Sequence, residues 1–415
     1  MSTPRRIGIA VIGFGWTGQA HARSYARLPL IFDSLEYRAE LTVCADTLAA
    51  RRAVALSDFG FREATEDWRV AVDHPDVDVV VICAPNMVHC ELVEAAAASG
   101  RHVFCEKPVG GTPTQTARAE KACRDAGIIT GVGYNYRFVP LVQHARNLIE
   151  AGELGQITNY RGRFFSMYGA DPLGLLSWRF LIDQAGHGVS TDILSHAIDL
   201  AMMLNGPIRR VVGTGETFIK ERPLPSASGT HYDRGEPGDP VGVVTNEDYF
   251  GAMAVFANGS RGTFEVSRTM VGPQSQMAFD IHGTDGALSW NFETMNQMRL
   301  FNIIEGDRGY TTVYAGERHP YHAGFVPGEA NSIGFEDVVT IQDHEFLAAV
   351  AEGRPHPAGM EQALEYVSVG RQRRRAVDGG GAGMEQALEY VSVQAALLRR
   401  WETGAWTDVV SVRTD

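Results

Sequence analysis

Residues 13–18 read Gly13-Phe14-Gly15-Trp16-Thr17-Gly18, the spacing G-x-G-x-x-G. The motif follows a short apolar run at 7–12 and opens an amphipathic run, the context in which it binds dinucleotides. There Gly13 permits a tight turn, Gly15 lets the backbone approach a pyrophosphate, and Gly18 lets helix and strand pack closely. The helix N-terminus then favours phosphate charge. Phe14, Trp16 and Thr17 lie within the turn and count with it as cofactor-contacting candidates. Asp46 ends the second apolar run, where a carboxylate accepts hydrogen bonds from ribose hydroxyls and repels a 2′-phosphate. It also suits a helix N-cap. It stands 33 residues beyond Gly13, against the usual ~20, and the stretch 29–38 reads as an insertion that makes up the difference. Thr47 and Leu48 are uncharged, although Arg51 and Arg52 follow within a turn. The pattern favours NAD over NADP.

Glu106-Lys107-Pro108 directly follows the apolar run 102–105. Ligands gather at the carboxyl ends of parallel strands, so a lysine fixed there before a proline is placed for chemistry. A lone lysine would ordinarily be solvated surface. Asp192 and His196 are four residues apart, with Asp199 one turn further. On one helix they share a face. That spacing fits an acid/base pair, and equally a helix cap beside a satisfied buried histidine.

The elements that position these residues come from periodicity. Apolar strand runs at 7–12, 41–45, 77–83, 102–105 and 128–132 alternate with helical runs at 17–28, 48–59, 89–99 and 114–126. This predicts a doubly wound parallel sheet covered by helices on both faces, an α/β Rossmann domain over 1–133. Beyond 134, one helix at 140–151 precedes successive strands at 157–165, 211–219, 248–257 and 260–268. Asn258-Gly259 between two strand runs is a hairpin signal, and Gly283-Thr284-Asp285-Gly286 is a second turn. The second domain, 134–415, is therefore expected to be α+β, with a large open, mostly antiparallel sheet. A long Pro- and Gly-rich loop interrupts it at 223–240.

The chain has 415 residues, 44% hydrophobic and 21% charged, which excludes disordered and fibrous classes. With 37 basic and 50 acidic residues the net charge is −13, so neither nucleic acid nor a membrane surface is an expected partner. The five cysteines form no C-x-x-C pair and no zinc pattern, so no metal is expected and a reducing, cytoplasmic setting fits. No apolar run suggests a membrane span or a secretory signal. One feature is abnormal: residues 358–369 and 382–393 both read AGMEQALEYVSV. Between them lies GRQRRRAVDGGG, which has linker character. One perfect pair is not a solenoid. Residues 370–393 read as a duplicated insertion, because one copy alone can occupy the place before Gln394.

Taken together, the glycine turn, Ala84-Pro85-Asn86 with His89, Glu106-Lys107-Pro108 and Asp192-Ile193-Leu194-Ser195-His196 resemble, in this order, the Gfo/Idh/MocA family. That family contains glucose–fructose oxidoreductase and inositol dehydrogenases. The resemblance covers nearly the whole chain except the duplicated segment. Ala170-Asp171-Pro172, Ser177-Trp178-Arg179-Phe180, Glu221-Arg222-Pro223-Leu224, His282 to Gly286, Tyr310 to Tyr314 and His319-Pro320-Tyr321 resemble its sugar dehydrogenases. His187 departs from the family, whose members usually carry a small residue there.

The resemblance implies NAD-dependent oxidation of a secondary hydroxyl on a sugar or anhydrosugar, of the levoglucosan or glucoside type. A base removes the hydroxyl proton while hydride leaves the same carbon for nicotinamide. Lys107, Asp192 and His196 are the implied catalytic residues, with His196 as base, Lys107 on the reacting oxygen and Asp192 orienting the imidazole or a sugar hydroxyl. Which of Lys107 and His196 takes the proton stays open. Pro85, Asn86, His89, Glu106 and Lys107 are implied cofactor contacts beside the glycine turn and Asp46. Asn135, Tyr136, Arg137, Trp178 and Arg179 are candidates to line the sugar site, Trp178 equally as interior packing. A homodimer or homotetramer is implied through the open sheet. The rivals are an inositol dehydrogenase, a glycosidase using NAD transiently, and a non-catalytic NAD-binding regulator.

Overall fold

Alternate residues of β1 (Arg5–Ile12) pack on opposite sides of one sheet. Ile7, Ile9 and Val11 join one apolar core, Ala10 and Ile12 the other. A strand buried on both faces needs helices above and below, which crossover connections between parallel strands supply. The computed structural model describes residues 4–33, 35–225, 233–304, 307–325, 328, 330–367 and 407–408. After β1 come α1 (Trp16–Ile31), β2 (Tyr37–Ala45), α2 (Ala49–Ser57), β3 (Glu63–Thr65), α3 (Trp68–Asp73) and β4 (Val79–Ile82). Then follow α4 (His89–Ala98), β5 (His102–Cys105), α5 (Pro113–Ala126) and β6 (Thr130–Val132). The sheet order is β3-β2-β1-β4-β5-β6, with every neighbouring pair parallel. The order reverses between β1 and β4, so their carboxyl ends border the crevice in which such sheets hold ligands.

The expected Rossmann alternation is present. β3 and α3 have no counterpart among the expected elements, being too short for a period to show. α1 continues through Pro29, and β2 begins at Tyr37. The stretch 29–38, expected as an insertion, thus begins in the last turn of α1 and ends in β2. Proline removes one helical hydrogen bond. Here buried Leu28 pins the last turn, and Phe32 stacks on His344 with ring centroids 3.9 Å apart.

The second unit starts with α6 (Pro140–Glu150) and β7 (Ile157–Ser166), then α7 (Ile182–Ala185), α8 (Val189–Asp192) and α9 (Leu194–Asn205). Strands β8 (Ile208–Glu216), β9 (Glu221–Pro223), β10 (Val241–Val243), β11 (Tyr249–Phe256) and β12 (Arg261–Ser267) follow. After them come β13 (Ser275–Gly283), β14 (Ala287–Asn291), β15 (Gln297–Ile304) and β16 (Asp307–Tyr314). With β17 (Thr407–Asp408) they build a nine-stranded sheet, β16-β15-β14-β13-β7-β12-β11-β8-β17. β7 and β12 pair parallel, their neighbours antiparallel. Both expected turns close hairpins. Gly259 takes φ +90°, a region that favours glycine, and Gly283 donates to the Gly286 carbonyl. β9 and β10 pair with each other as a separate ribbon, so strand structure brackets the expected 223–240 loop. Residues 226–232 of that loop lie outside the described residues.

β11 shows how the sheet is sided. Phe250, Ala252, Ala254 and Phe256 are buried in the core that also holds Leu194, Ala197 and Leu200 of α9, while Met253 on the other face is 52% exposed. After β16 the chain returns to the first sheet. Phe346, Leu347 and Val350 of α10 (Phe335–Glu352) complete a Rossmann core with Ile7, Ile9 and Tyr25. α11 (Met360–Val367) is tied to β6 by the Met360 N–H, which donates to Thr130 Oγ1 at 3.0 Å. A boundary at 133/134 thus assigns α10 and α11 to the second domain by sequence, whereas they pack on the first. In the first repeat copy, Ala358, Met360 and Ala363 are buried. The second copy and the segment joining them lie outside the described residues.

Candidate active site

The cofactor turn is built as its glycines require. Gly13 has φ +91°, and a Cβ there would stand 2.7 Å from the Ala84 nitrogen. A Cβ on Gly18 would meet the Gly13 carbonyl at 2.2 Å, whereas at Gly15 it would find just the Arg51 guanidinium, at 3.7 Å. α1 starts without a side-chain cap, so its first N–H groups remain for an anion. Phe14 contributes through its backbone, its N–H donating to Asp46 Oδ2 at 2.7 Å; its ring is buried edge-on against Phe59 and Phe61. Trp16 is 65% exposed beside Phe335. Asp46 also accepts from the Leu48 N–H at 2.8 Å and from Arg51 at 3.3 Å. Arg52 is committed to the Asp46 and Thr47 carbonyls. A cradle open over Gly15, beside a carboxylate, fits a dinucleotide with an unmodified ribose.

Lys107 stands at the carboxyl end of β5 and reaches across the crevice. Its Nζ donates to Asp192 Oδ1 at 2.8 Å and to the Asp192 carbonyl at 3.0 Å. The single helix expected over Asp192 and His196 is in fact two, α8 ending at Asp192 and α9 beginning at Leu194. A carbonyl inside one continuous helix would be spent on the helical ladder. At this break the Asp192 carbonyl instead receives Lys107 and the Ser195 hydroxyl, both at 3.0 Å. Asp192 Oδ2 accepts from Arg179 at 3.2 Å and Tyr168 at 3.3 Å. Burial pushes the Asp192 carboxyl up, but Lys107 and then Arg179 outweigh it and hold it well below the usual carboxylate range. Asp192 therefore anchors Lys107, and its carboxylate bonds do not go to the imidazole.

His196 lies in an aromatic box, its ring centroid 4.8 Å from Tyr136 and about 6 Å from Tyr134 and Phe164. Burial, reinforced by Lys107, drives its pKa well below the ordinary histidine value, so the imidazole is neutral. Its buried Nδ1 has no hydrogen-bond partner among the described residues.

Family models cover both units. Residues 7–134 match the oxidoreductase family with NAD-binding Rossmann fold, and residues 142–289 match the GFO/IDH/MocA C-terminal domain. The levoglucosan dehydrogenase of Pseudarthrobacter phenanthrenivorans is 38% identical over 353 residues, spanning 84% of this chain and 90% of that protein. The chain belongs to the Gfo/Idh/MocA family. A solved levoglucosan dehydrogenase in complex with NADH and levoglucosan aligns with a TM-score of 0.86 at 32% identity, covering 98% of this chain and all of that one. The scyllo-inositol 2-dehydrogenase (NAD(+)) of Bacillus subtilis is 28% identical over 284 residues, 68% of this chain and 73% of that protein.

On this Gfo/Idh/MocA frame the remaining expected residues divide. Asn135 and Tyr136 are buried beside the imidazole's turn, and Asn135 Nδ2 lacks a partner among the described residues. Trp178 lies under the Arg179 guanidinium at 4.7 Å, and Arg179 reaches Asp192. Arg137 is spent elsewhere, donating to both Asp199 oxygens at 2.7 and 2.9 Å in a buried pair, and to the Pro357 carbonyl. These bonds pin α9. Asn86 donates to the Ala185 carbonyl at 3.2 Å. Both ring nitrogens of His89 face backbone carbonyls, Nδ1 that of Pro108 and Nε2 that of Ala84, each at 2.7 Å.

Glu106 receives the Lys107 N–H and His21 Nε2, each at 3.3 Å, while His21 Nδ1 is 2.8 Å from Asp343 Oδ1. Burial opposes a charge on His21, but Asp343 and then Glu106 push its pKa up to about 10. This buried carboxylate–imidazolium–carboxylate chain and Tyr168 have no signal in the sequence, because their partners come from distant elements. Among the described residues no cluster has the makings of a metal site, and no helix is long and apolar enough to cross a membrane.

Proposed function

We propose that this protein oxidises a secondary hydroxyl of a sugar or anhydrosugar of the levoglucosan or glucoside type, leaving a keto sugar. NAD, when bound, supplies the hydride acceptor. The observation that carries the reading is the Lys107–Asp192–His196 arrangement at the carboxyl end of β5, beside the glycine turn. An ammonium has three donors. Asp192 takes two of those on Lys107, and the third is assigned to the reacting oxygen, where it stabilises developing alkoxide charge. With two of its donors already on Asp192, Lys107 is assigned the donor's part. The proton acceptor's role is assigned to neutral His196, whose imidazole feels the charges of Lys107 and Asp192. Asn135, Trp178 and Arg179 orient the sugar.

Purified protein with NAD and a panel of levoglucosan, glucosides, glucose and inositols tests the reading, with NADH absorbance as readout. Levoglucosan or a glucoside is expected to be oxidised. Preference for inositols would favour the second reading, which the inositol dehydrogenase relatives support. Release of aglycone without net NADH would favour the glycosidase, and inertness toward every polyol would sink the dehydrogenase. Lys107→Met should lower turnover by about 10²–10³-fold, the usual effect of deleting one oxyanion donor, while NADH affinity holds. Lost NADH binding would contradict the role.

We further infer a homo-oligomer formed through the outer face of the large sheet. A groove of about 730 Å³ there is lined by Arg161, Arg163, Tyr249, Met253, Glu265 and Asp280. The five cysteines are free and four are buried, which suits a cytoplasmic setting.

A further inference from the structure

We propose that His89 is a positioning residue, a staple that ties the loop carrying Lys107 to the loop carrying Asn86. The proposal rests on the reading of Lys107 given above. His89 is the first residue of α4 and is 1% exposed. Its Nδ1 lies 2.7 Å from the Pro108 carbonyl oxygen, and its Nε2 lies 2.7 Å from the Ala84 carbonyl oxygen. One ring thus joins the ends of two neighbouring strands. Ala84 leaves β4 beneath the dinucleotide turn, its nitrogen 2.7 Å from where a Gly13 Cβ would stand. Asn86, two residues on, is bonded to Ala185, just ahead of the helix that ends in Asp192. Pro108 directly follows Lys107, whose Nζ spans the crevice to Asp192.

The chemistry of the contacts is demanding. A carbonyl oxygen accepts and never donates, and a neutral imidazole offers one N–H. Both bonds are made together by the imidazolium alone. Burial works most strongly against that charge and Lys107 adds to the opposition; the two carbonyls and Glu106 favour it, but the outcome is a His89 pKa below the ordinary histidine value, so near neutral pH the ring carries one N–H. The neutral ring gives its one N–H to the Pro108 or the Ala84 carbonyl according to tautomer, so the same side chain can hold either loop.

The two bonds can be cut one at a time. An asparagine side chain places its amide nitrogen near the Nδ1 position, and glutamine places its own near Nε2. His89→Asn keeps the Pro108 bond and frees Ala84. It should weaken NADH binding by about tenfold, the worth of one good hydrogen bond, with kcat within about threefold of the parent. His89→Gln keeps the Ala84 bond and frees Pro108. It should lower kcat by about tenfold or more, with NADH affinity unchanged. NADH affinity is read by fluorescence titration, kcat at saturating sugar and NAD, and folding by thermal melts.

Divergence of the two variants in these directions supports the staple. Equal losses in both, or lower melting temperatures with kcat and NADH affinity intact, would overturn it in favour of plain packing. If Lys107→Met retains its turnover, the catalytic reading has failed. The difference in NADH affinity between the asparagine variant, weakened, and the glutamine variant, unchanged, then still decides the staple.

Discussion

At the scale of single residues, neutrality of His196 is the property on which the proposed proton removal depends. A general base works unprotonated and fails as pH falls through its pKa. An ordinary histidine would give that loss near pH 6.5. Burial first, and Lys107 second, push the His196 value far below this, with Asp192 offsetting a part. The rate of sugar oxidation, as kcat/KM, should therefore stay level from pH 8 down through 6.5, provided the protein remains folded. An acid limb centred near 6.5 would mean that the base is a solvated histidine or that His196 has another role. The strand-end positions of the proposed site residues were largely legible in the sequence. Gly13, Gly15, Gly18, Asp46 and Lys107 each sit next to a strand end that periodicity could find. Tyr168 was not legible, because its bond to Asp192 spans 24 residues and two elements without any local pattern. Arg137 shows the converse: its charge was visible, but its pairing with Asp199 was not.

At the scale of elements, the joints decide function more than the interiors do. Strand and helix interiors followed their apolar periods, whereas the break at Ile193 carries no proline or glycine to announce it. That break frees the Asp192 carbonyl for Lys107. A second joint ties α1 to α10 and β5 through His21, held between Asp343 and Glu106. Folding raises the His21 pKa from about 6.5 to about 10. The imidazolium's contribution to stability is thus fully present below about pH 6.5 and is lost as pH rises through about 10. Thermal melts between pH 7 and pH 10 should show a declining melting temperature. His21→Asn should start lower at pH 7 and decline less. A parallel decline in both proteins would place the alkaline loss elsewhere.

At the scale of the whole molecule, the outer sheet face predicts association. Met253 sits mid-strand on that face at 52% exposure, and a broad sheet surface with a groove is a ready self-interface. Light scattering should find a dimer or tetramer, and Met253→Glu should shift it toward monomer. A monomeric parent would remove the interface. The repeat poses a different question about the whole chain. The first copy supplies buried Ala358, Met360 and Ala363 to the slot against β6. The second copy is the one continuous with Gln394. Because the copies are identical, deleting 358–381 or 370–393 yields one and the same protein, in which the single remaining copy both occupies the slot and runs directly into Gln394. The contacts that Ala358, Met360 and Ala363 make among the described residues are available to the remaining copy. The linker, with its run of arginines and glycines, also leaves the chain. The shortened protein should retain its turnover and NADH affinity, with a melting temperature equal to or above the parent's. An inactive or unfolded product would show that both copies are in use, and that the second has a place of its own.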